Sequence, residues 1–226
     1  MMNTHRKYIQ NDKRLPSVTE ILSIVAKPYL IPWANKMGLN GINLTERNAE
    51  ITSIGTLVHA KIENFFRRSE MEANGYPDSV KEKADELFLK FLGWNFERNI
   101  EPHYLELPMI SSEFGGTIDA IVSMNGVPTI LDWKTSKDIY PEYFAQLSAY
   151  YYLMRKGYPM DISDQSIADE VRITGESIKQ VGIVLIPKEE NEHVRIKTIE
   201  IKSDEFRKSW EYFASCLRLW KAKEQL

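Results

Sequence analysis

Two residues near the middle of the chain, Asn125 and Gly126, constrain its fold more than any other feature. They separate two apolar runs, GGTIDAIVSM at 115–124 and PTILDWKTS at 128–136. Because both residues tolerate positive φ, an Asn-Gly pair between such runs indicates a β-hairpin. The run HYLELPMI at 103–110 precedes them. The pattern therefore predicts three strands that follow one another as a meander.

Helical periodicity surrounds this meander, and two further strands follow it. Ser17 lies three residues before Glu20, which is the spacing of a capping box at the start of a helix. The predicted helices cover residues 17–26, 33–37, 53–70, 78–98, 141–156 and 204–224. The remaining strands are predicted at 180–187 and 194–201, and residues 158–178 are expected to be irregular or partly helical. This order predicts an α/β fold in which helices flank a mixed central sheet, with a crossover helix after the meander.

Composition and length limit the class of protein. The chain has 226 residues with a net charge of −3, and we expect it to form one domain, with residues 1–98 mainly helical and residues 99–226 supplying the sheet and the last helix. Its one cysteine, Cys216, excludes an internal disulfide and a four-cysteine zinc or Fe–S site. No apolar run reaches membrane-spanning length and no secretory signal is evident, so we expect a reducing cytoplasm. The basic first residues leave a short mitochondrial targeting segment open.

Two acids and a lysine stand out within the meander. Asp132 and Lys134 are two residues apart, so they face the same side of a strand. If the hairpin closes symmetrically at Asn125-Gly126, Asp119 lies opposite Asp132. Two carboxylates that close repel each other unless a cation lies between them, and Mg²⁺ or Mn²⁺ suits oxygen ligands. The alternative is a structural ion pair of Asp132 with Lys134, with Asp119 exposed at the strand end.

Three polar side chains on predicted helices accompany these residues. His59 lies on an apolar helix, where a histidine is more often part of the core than a metal ligand. Gln146 and Tyr150 are four residues apart on one face of the helix after the lysine strand. An ordinary amphipathic helix explains that spacing equally well.

Taken in order, these segments resemble the RecB-type branch of the PD-(D/E)xK nuclease superfamily. The resemblance rests on GTLVH at 55–59, GGTID at 115–119, DWK at 132–134 and QLSAY at 146–150. The opening LPSVTEIL…PYLIPWANKMG is also similar to that of phage and mitochondrial-genome-maintenance-type exonucleases. The likeness covers about residues 15 to 155.

The resemblance implies a restriction-endonuclease-like fold and a set of site residues. The N-terminal helical segment would form one wall of the cleft and bring His59 over the sheet. Lys134 would position the attacking water and act in catalysis with Asp119 and Asp132. The implied metal ligands are His59, Asp119, Asp132, the backbone carbonyl of Trp133, and Glu106, which matches an acid that some relatives place near the metal. The implied supports of the site and contacts to nucleic acid are Gln146 and Tyr150. The hydroxyls of Thr135 and Ser136 are placed to reach a phosphate or to cap the strand end.

The implied activity is metal-dependent hydrolysis of DNA with one or two Mg²⁺ or Mn²⁺ ions. The resemblance favours an exonuclease acting on single-stranded ends in replication, recombination or repair. The alternatives are a structure-specific or duplex-processing recombination nuclease and a catalytically silent DNA-end-binding subunit. No phosphate-binding loop of an ATPase is present, so we expect no nucleotide cofactor. The single cysteine and the lack of a long apolar run lead us to expect no Fe–S cluster and no membrane association. A separate helicase or recombination protein is a possible partner, and a bacterial or phage origin is expected.

We assign no functional role to several other residues. Arg67, Arg68 and the basic residues of the last helix are expected on solvated faces because acids are interleaved with them. Trp210, Trp220 and Cys216 are expected in the core. No partner is identified for His5, His103 or His193.

Overall fold

A computed structural model describes residues 6–28, 30–160 and 165–225. Within these residues the chain forms eight strands and seven helices. The strands are β1 (Tyr8–Gln10), β2 (Lys13–Leu15), β3 (Ile100–Ile110), β4 (Gly115–Met124), β5 (Val127–Lys134), β6 (Tyr158–Pro159), β7 (Gln180–Leu185) and β8 (Arg195–Glu200). The helices are α1 (Val18–Leu22), α2 (Leu30–Leu39), α3 (Leu44–Arg67), α4 (Asp78–Phe96), α5 (Pro141–Lys156), α6 (Gln165–Ser177) and α7 (Asp204–Glu224).

The main sheet has six strands in the order β6-β3-β4-β5-β7-β8. All neighbours pair antiparallel except β5 and β7, which are parallel. The meander β3-β4-β5 and the crossover through α5 are confirmed, and so is the mixed sheet. A parallel pair needs a crossover of a dozen or more residues, which α5 and the segment after it supply.

The hairpin between β4 and β5 has the predicted register. Asn125 and Gly126 have φ values of 51° and 78°, as a two-residue hairpin turn requires. Ladder pairs run from Met124↔Val127 to Ala120↔Leu131. The next position along this register places Asp119 opposite Asp132.

Hydrophobic clusters cover both faces of the sheet. One joins α1, α5 and α7 to the sheet and includes Ile130 and Phe213. The other joins α3 and α4 to the opposite face and includes Leu131 and Phe91. Consecutive residues of β5 face opposite sides, so both faces of this strand are buried, as is usual for a strand with a parallel neighbour. The N-terminal helices are thus divided between the two faces. None of the described helices is long and apolar enough to span a bilayer.

Helix boundaries differ from those predicted mainly in the first third. Helix α3 begins nine residues earlier than expected because Asn43 caps it, its side-chain oxygen accepting from the N–H groups of Thr45 and Glu46. Helix α1 has the predicted capping box but ends at Leu22. Helix α2 continues through Gly38, which was expected to end it.

The reason for the later end of α2 is a second glycine. Gly41 has a φ of 72°, and the N–H of the next residue, Ile42, donates to the carbonyl of Met37. A left-handed glycine just after the last turn, followed by such a long-range bond, is a common way to end a helix.

Three short strands were not predicted, because the hairpin β1-β2 and the edge strand β6 lie in polar sequence without a clear period. Helix α6 is the helical part of the stretch 158–178, which was expected to be irregular or partly helical. Residues 161–164 of that stretch lie outside the described residues, as does His5. The hairpin packs on the main sheet, where Tyr8 lies against Gly115 and its hydroxyl is 2.9 Å from the Thr117 hydroxyl. A side chain at Gly115 would overlap the Tyr8 ring.

Candidate active site

Three acids lie in one row across adjacent strands. Leu105 pairs with Ala120 and Leu107 pairs with Ile118, so Glu106 on β3 faces Asp119 on β4. The hairpin register continues the row to Asp132 on β5. The sequence predicted only part of this row. The Asn-Gly turn predicts that Asp119 lies opposite Asp132, but no comparable signal predicts how β3 pairs with β4.

Asp119 is fixed within this row by the neighbouring strand. Its Oδ2 accepts a hydrogen bond of 3.1 Å from the backbone N–H of Trp133. The side chain is 12% exposed. The alternative in which Asp119 lies exposed at the strand end is therefore wrong.

Glu106 has an unusual backbone conformation. Its φ is 50°, although it is neither glycine nor in a turn. Such a left-handed residue costs about 1–3 kcal/mol and is held by its surroundings. The surroundings here include Arg67, whose Nη2 donates to the carbonyl of Leu105 at 2.9 Å and whose Nε pairs with Glu63 at 2.8 Å. Arg67 is exposed, as predicted, and it also ties α3 to the peptide before Glu106.

His59 connects α3 to the middle of β4 and to the carboxyl end of β5. Its Nε2 lies 2.7 Å from the carbonyl oxygen of Trp133, and its Nδ1 lies 3.4 Å from Asp119 Oδ2. Because a carbonyl only accepts hydrogen bonds, Nε2 carries the hydrogen. Nδ1 faces the Asp119 carboxylate, so either a proton on Nδ1 or a metal cation between the two groups satisfies this contact.

Asp132 and Lys134 form a buried ion pair. Asp132 is 1% exposed, and its Oδ2 lies 2.7 Å from Lys134 Nζ. The geometry of this contact is not that of a hydrogen bond, and neither oxygen of Asp132 has a hydrogen-bond partner among the described residues. A buried carboxylate normally has its acceptors satisfied, and since the ammonium group of Lys134 contacts Oδ2, it is Oδ1 that is available to a further ligand.

The pKa values show how much negative charge is concentrated here. Burial, and then the charge of Asp119, raise the pKa of Glu106 to about 8. Burial also raises the pKa of Asp132 to about 6, although Lys134 opposes the shift. Burial by itself lowers the pKa of Lys134, but Asp132 and Asp119 outweigh it and the net shift is upward. Without a metal, Lys134 is therefore an ammonium ion at neutral pH.

A chain of hydrogen bonds leads away from Lys134. Its Nζ donates to Gln146 Oε1 at 3.1 Å, and Gln146 Nε2 donates to the Tyr150 hydroxyl at 2.7 Å. Gln146 is 8% exposed and Tyr150 4% exposed. The ring of Tyr150 packs on Gly116, where a side chain would overlap it. This geometry orients the lysine, while contact of the two residues with nucleic acid stays a prediction.

The two hydroxyl residues after Lys134 have different surroundings. Ser136 donates to the carbonyl of Asp138 at 2.8 Å and so closes the turn after β5. The hydroxyl of Thr135 lies at the point where α3 approaches the strand, 3.3 Å from where a Cβ on Gly55 would lie. Their contact with a phosphate stays a prediction.

The residues present fit a divalent cation. One ligand atom each from His59, Glu106 and Asp119 lie within 4.8 Å of one another. Carboxylate oxygens and an imidazole nitrogen are ligands that Mn²⁺ accepts, and Mg²⁺ prefers the oxygens. The raised pKa of Glu106 indicates that three acids lie together with too few cations to balance them, since Lys134 is paired with Asp132.

The predicted ligands are thus only partly brought together. Glu106 joins His59 and Asp119 in the compact group, whereas Asp132 contacts Lys134 instead. In this structure the carbonyl of Trp133 is bonded to His59. The assignment of His59, Glu106, Asp119, Asp132 and the Trp133 carbonyl as metal ligands stays a prediction.

Sequence reasoning missed three contributors to the site. Glu63 and Arg67 follow His59 at intervals of four and lie on the same side of α3, a spacing that would have identified them. Tyr143, whose ring lies 4.9 Å from Lys134 Nζ, precedes Gln146 by three residues in the same way. Among the histidines, His103 does have a partner, because its Nε2 lies 3.0 Å from the Ser123 hydroxyl. Cys216 is buried as predicted.

The chain belongs to the PD-(D/E)XK nuclease superfamily, whose sequence profile matches residues 33–225. The family suggested by the four motifs is confirmed, and the six-stranded mixed sheet flanked by helices is consistent with its restriction-endonuclease-like fold. Among curated protein sequences, none matches this chain.

Exonucleases are among the solved structures to which this chain shows a weak similarity. The alkaline exonuclease LHK-Exo from Laribacter hongkongensis is 8% identical, with a TM-score of 0.31, and 93% of each chain is covered. A structure of LHK-Exo in complex with dAMP is 8% identical with a TM-score of 0.32, covering 77% of this chain and 86% of that one. A phage-related exonuclease from Haemophilus somnus 129PT is 13% identical with a TM-score of 0.30, covering 96% and 95%.

Proposed function

We propose that this protein is a metal-dependent deoxyribonuclease, and specifically an exonuclease acting on single-stranded DNA ends. The observation that carries the metal-dependent chemistry is the row of Glu106, Asp119 and Asp132, in which Asp132 is paired with Lys134 through Oδ2 and has no partner for Oδ1. The preference for single-stranded ends rests on the sequence resemblance over about residues 15 to 155.

The side chains divide the work of phosphodiester hydrolysis. A divalent cation held by His59, Asp119 and Glu106, with Asp132 beside it, would neutralise the phosphate and stabilise the leaving oxygen. Asp119 stays oriented through its bond from the Trp133 N–H, and His59 through its bond to the Trp133 carbonyl. Both anchors are backbone groups of β5, so the acid and the imidazole keep a fixed relation to the strand.

Lys134 acts as a cation that positions the attacking water. Its raised pKa argues against a neutral amine that removes a proton in the metal-free site. Contacts to Asp132, Gln146 and the Tyr143 ring hold the ammonium group in place. An ammonium held in this way is suited to orient a water and to stabilise charge on a phosphate oxygen.

The test compares a fluorescently end-labelled linear single strand with a closed single-stranded circle. Wild type, Lys134→Ala and the control Lys179→Ala are each incubated with Mg²⁺, with Mn²⁺ or with EDTA. Lys179 is exposed at the opposite end of the sheet, just before β7. We expect wild type and Lys179→Ala to degrade the linear strand alone, and only with metal. Lys134→Ala should fold and bind metal but lose nearly all cleavage.

Other outcomes contradict parts of the proposal. Cleavage of the circle would identify an endonuclease and favour the duplex-processing or structure-specific alternative. Full activity of Lys134→Ala would remove that residue from the mechanism. If wild type cuts neither substrate and calorimetry detects no Mn²⁺ binding, the silent DNA-binding subunit is favoured.

A further inference from the structure

A groove lies beside the carboxyl end of β5, next to the candidate active site. It consists of two adjoining cavities of about 780 and 480 Å³ that share Asp138 and Tyr140. The first cavity lies between the segment after β5 and the segment that leads into β8. The second continues past the start of α5 toward β8 and α7.

Two aromatic rings connect this groove to Lys134. The ring of Tyr143 lies 4.9 Å from Lys134 Nζ, and the rings of Tyr140 and Tyr143 meet edge to face at 5.6 Å between centroids. Tyr140 lines both cavities. A chain leaving the active site past Tyr143 would therefore enter the groove directly.

The acids that line the groove are already paired with cations that line it. Asp138 and Glu192 each lie 3.8 Å from the guanidinium of Arg195, and Glu205 lies 2.6 Å from Lys197 Nζ. Because Arg195 is shared by two acids, these five side chains are three acids and two cations and carry a net charge of −1.

Two exposed lysines supply the remaining charge. Lys137 lines the first cavity and Lys208 the second. Over the described part of the chain neither lysine makes an ion pair, and with both included the Lys, Arg, Asp and Glu side chains that line the groove are four cations and three acids, a net charge of +1. Positive charges spaced along a groove match a ligand whose negative charges repeat along a chain.

Aromatic side chains lie in the same groove as these lysines. Tyr140 lines both cavities and Tyr212 lines the second, whereas Phe144 is buried. Proteins that bind single strands combine a basic groove with aromatic rings on which exposed bases stack. The bases of a duplex are already stacked within it, so this combination favours a single strand.

We propose that the groove binds the single-stranded segment of the substrate that adjoins the scissile phosphate. Lys137 and Lys208 contact its phosphates, and Tyr140 stacks on a base at the junction of the cavities. The assignment rests on the proposed nuclease function and extends it with a binding track outside the row of acids.

The experiment measures binding of a fluorescently labelled oligothymidine strand to the full chain by anisotropy across a salt series. Lys134→Ala with Mn²⁺ serves as the parent, so that binding is observed without cleavage. The double variant Lys137→Ala with Lys208→Ala should reduce the slope of log K against log salt by about 1.4, because each single-strand phosphate contact contributes about 0.7. Tyr140→Leu should weaken binding about tenfold with little change in slope. Lys179→Ala should behave as the parent.

The outcomes separate the groove from the nuclease assignment. A wild-type protein that fails to cleave any strand overturns the proposed function. A wild-type protein that cleaves, while the double lysine variant keeps the parental slope, overturns the groove alone. If the binding of a duplex of the same length depends on both lysines in the same way, the groove binds any anionic backbone. The single-strand assignment is then wrong.

Discussion

At the scale of single residues, the site is defined by acids that are buried without enough positive charge around them. Glu106 has a pKa of about 8 and Asp132 of about 6, and in both cases burial is the first cause. An acid whose pKa is raised on folding binds its proton more tightly in the folded state. The metal-free folded state is therefore favoured at low pH.

The stability of the metal-free protein should consequently depend on pH through Glu106. The stabilising effect of its proton is fully present below the ordinary pKa of about 4.3 and is lost as the pH rises through about 8. We expect the melting temperature in EDTA to fall across this window by at least about 5 °C, since 1 kcal/mol corresponds to about 2–4 °C for a chain of this size.

Glu106→Gln provides the comparison, because the amide keeps the shape and does not ionise. Its melting temperature in EDTA should vary less with pH, and Mn²⁺ should raise the melting temperature of wild type most at the alkaline end. Identical pH profiles for the variant and wild type would mean that Glu106 does not control this effect.

At the scale of elements, the close approach of α3 to β5 brings His59 to the strand. A Cβ on Gly55 would lie 3.3 Å from the Thr135 hydroxyl. Gly55→Val should therefore push the helix away, separate His59 from the Trp133 carbonyl and weaken Mn²⁺ binding at least about tenfold. Calorimetric titration with Mn²⁺ measures this directly.

Gly93 on α4 is the matched control for that substitution. It is also within a helix, but nothing lies within 4 Å of the position its Cβ would take. Gly93→Val should bind Mn²⁺ as wild type does. Equal affinities for both valine variants would show that the approach of α3 is not what positions the metal ligands.

The second contact between elements joins α3 to β3 through Arg67. Arg67→Gln removes the guanidinium that bonds to the Leu105 carbonyl and to Glu63. Without it, the left-handed conformation of Glu106 loses one of its supports, and Mn²⁺ affinity should fall about tenfold. Arg218→Gln on α7 controls for loss of an exposed arginine, and a fall of the same size in both variants would contradict a specific role for Arg67.

At the scale of the whole molecule, the sheet is shared by two hydrophobic clusters. Phe213 is fully buried in one and Phe91 in the other. Phe213→Ala and Phe91→Ala should each lower the free energy of unfolding by about 3–5 kcal/mol. If residues 1–226 form one domain, both variants shift the same single transition when unfolding is followed by circular dichroism and by tryptophan fluorescence. Two separate transitions would instead divide the chain into two cooperative units.

Local sequence signals were enough to predict much of the fold and part of the candidate site. Asn125-Gly126 set the register that places Asp119 opposite Asp132, because a two-residue turn leaves one symmetric pairing. Ser17 with Glu20 marked the start of α1, and alternation and helical spacing located β4, β5, α5 and α7. The order of four short motifs was enough to indicate the superfamily that the sequence profile confirms.

Only the tertiary structure decided which charges meet and how they are held. The position of Glu106 depends on a positive φ inside a strand, and no residue type signals that conformation. The bond from Arg67 to the Leu105 carbonyl joins residues 38 positions apart, and the groove beside β5 is built from segments more than 50 positions apart. Sequence periodicity records which face of an element is buried, whereas the distances between faces follow from packing the whole chain.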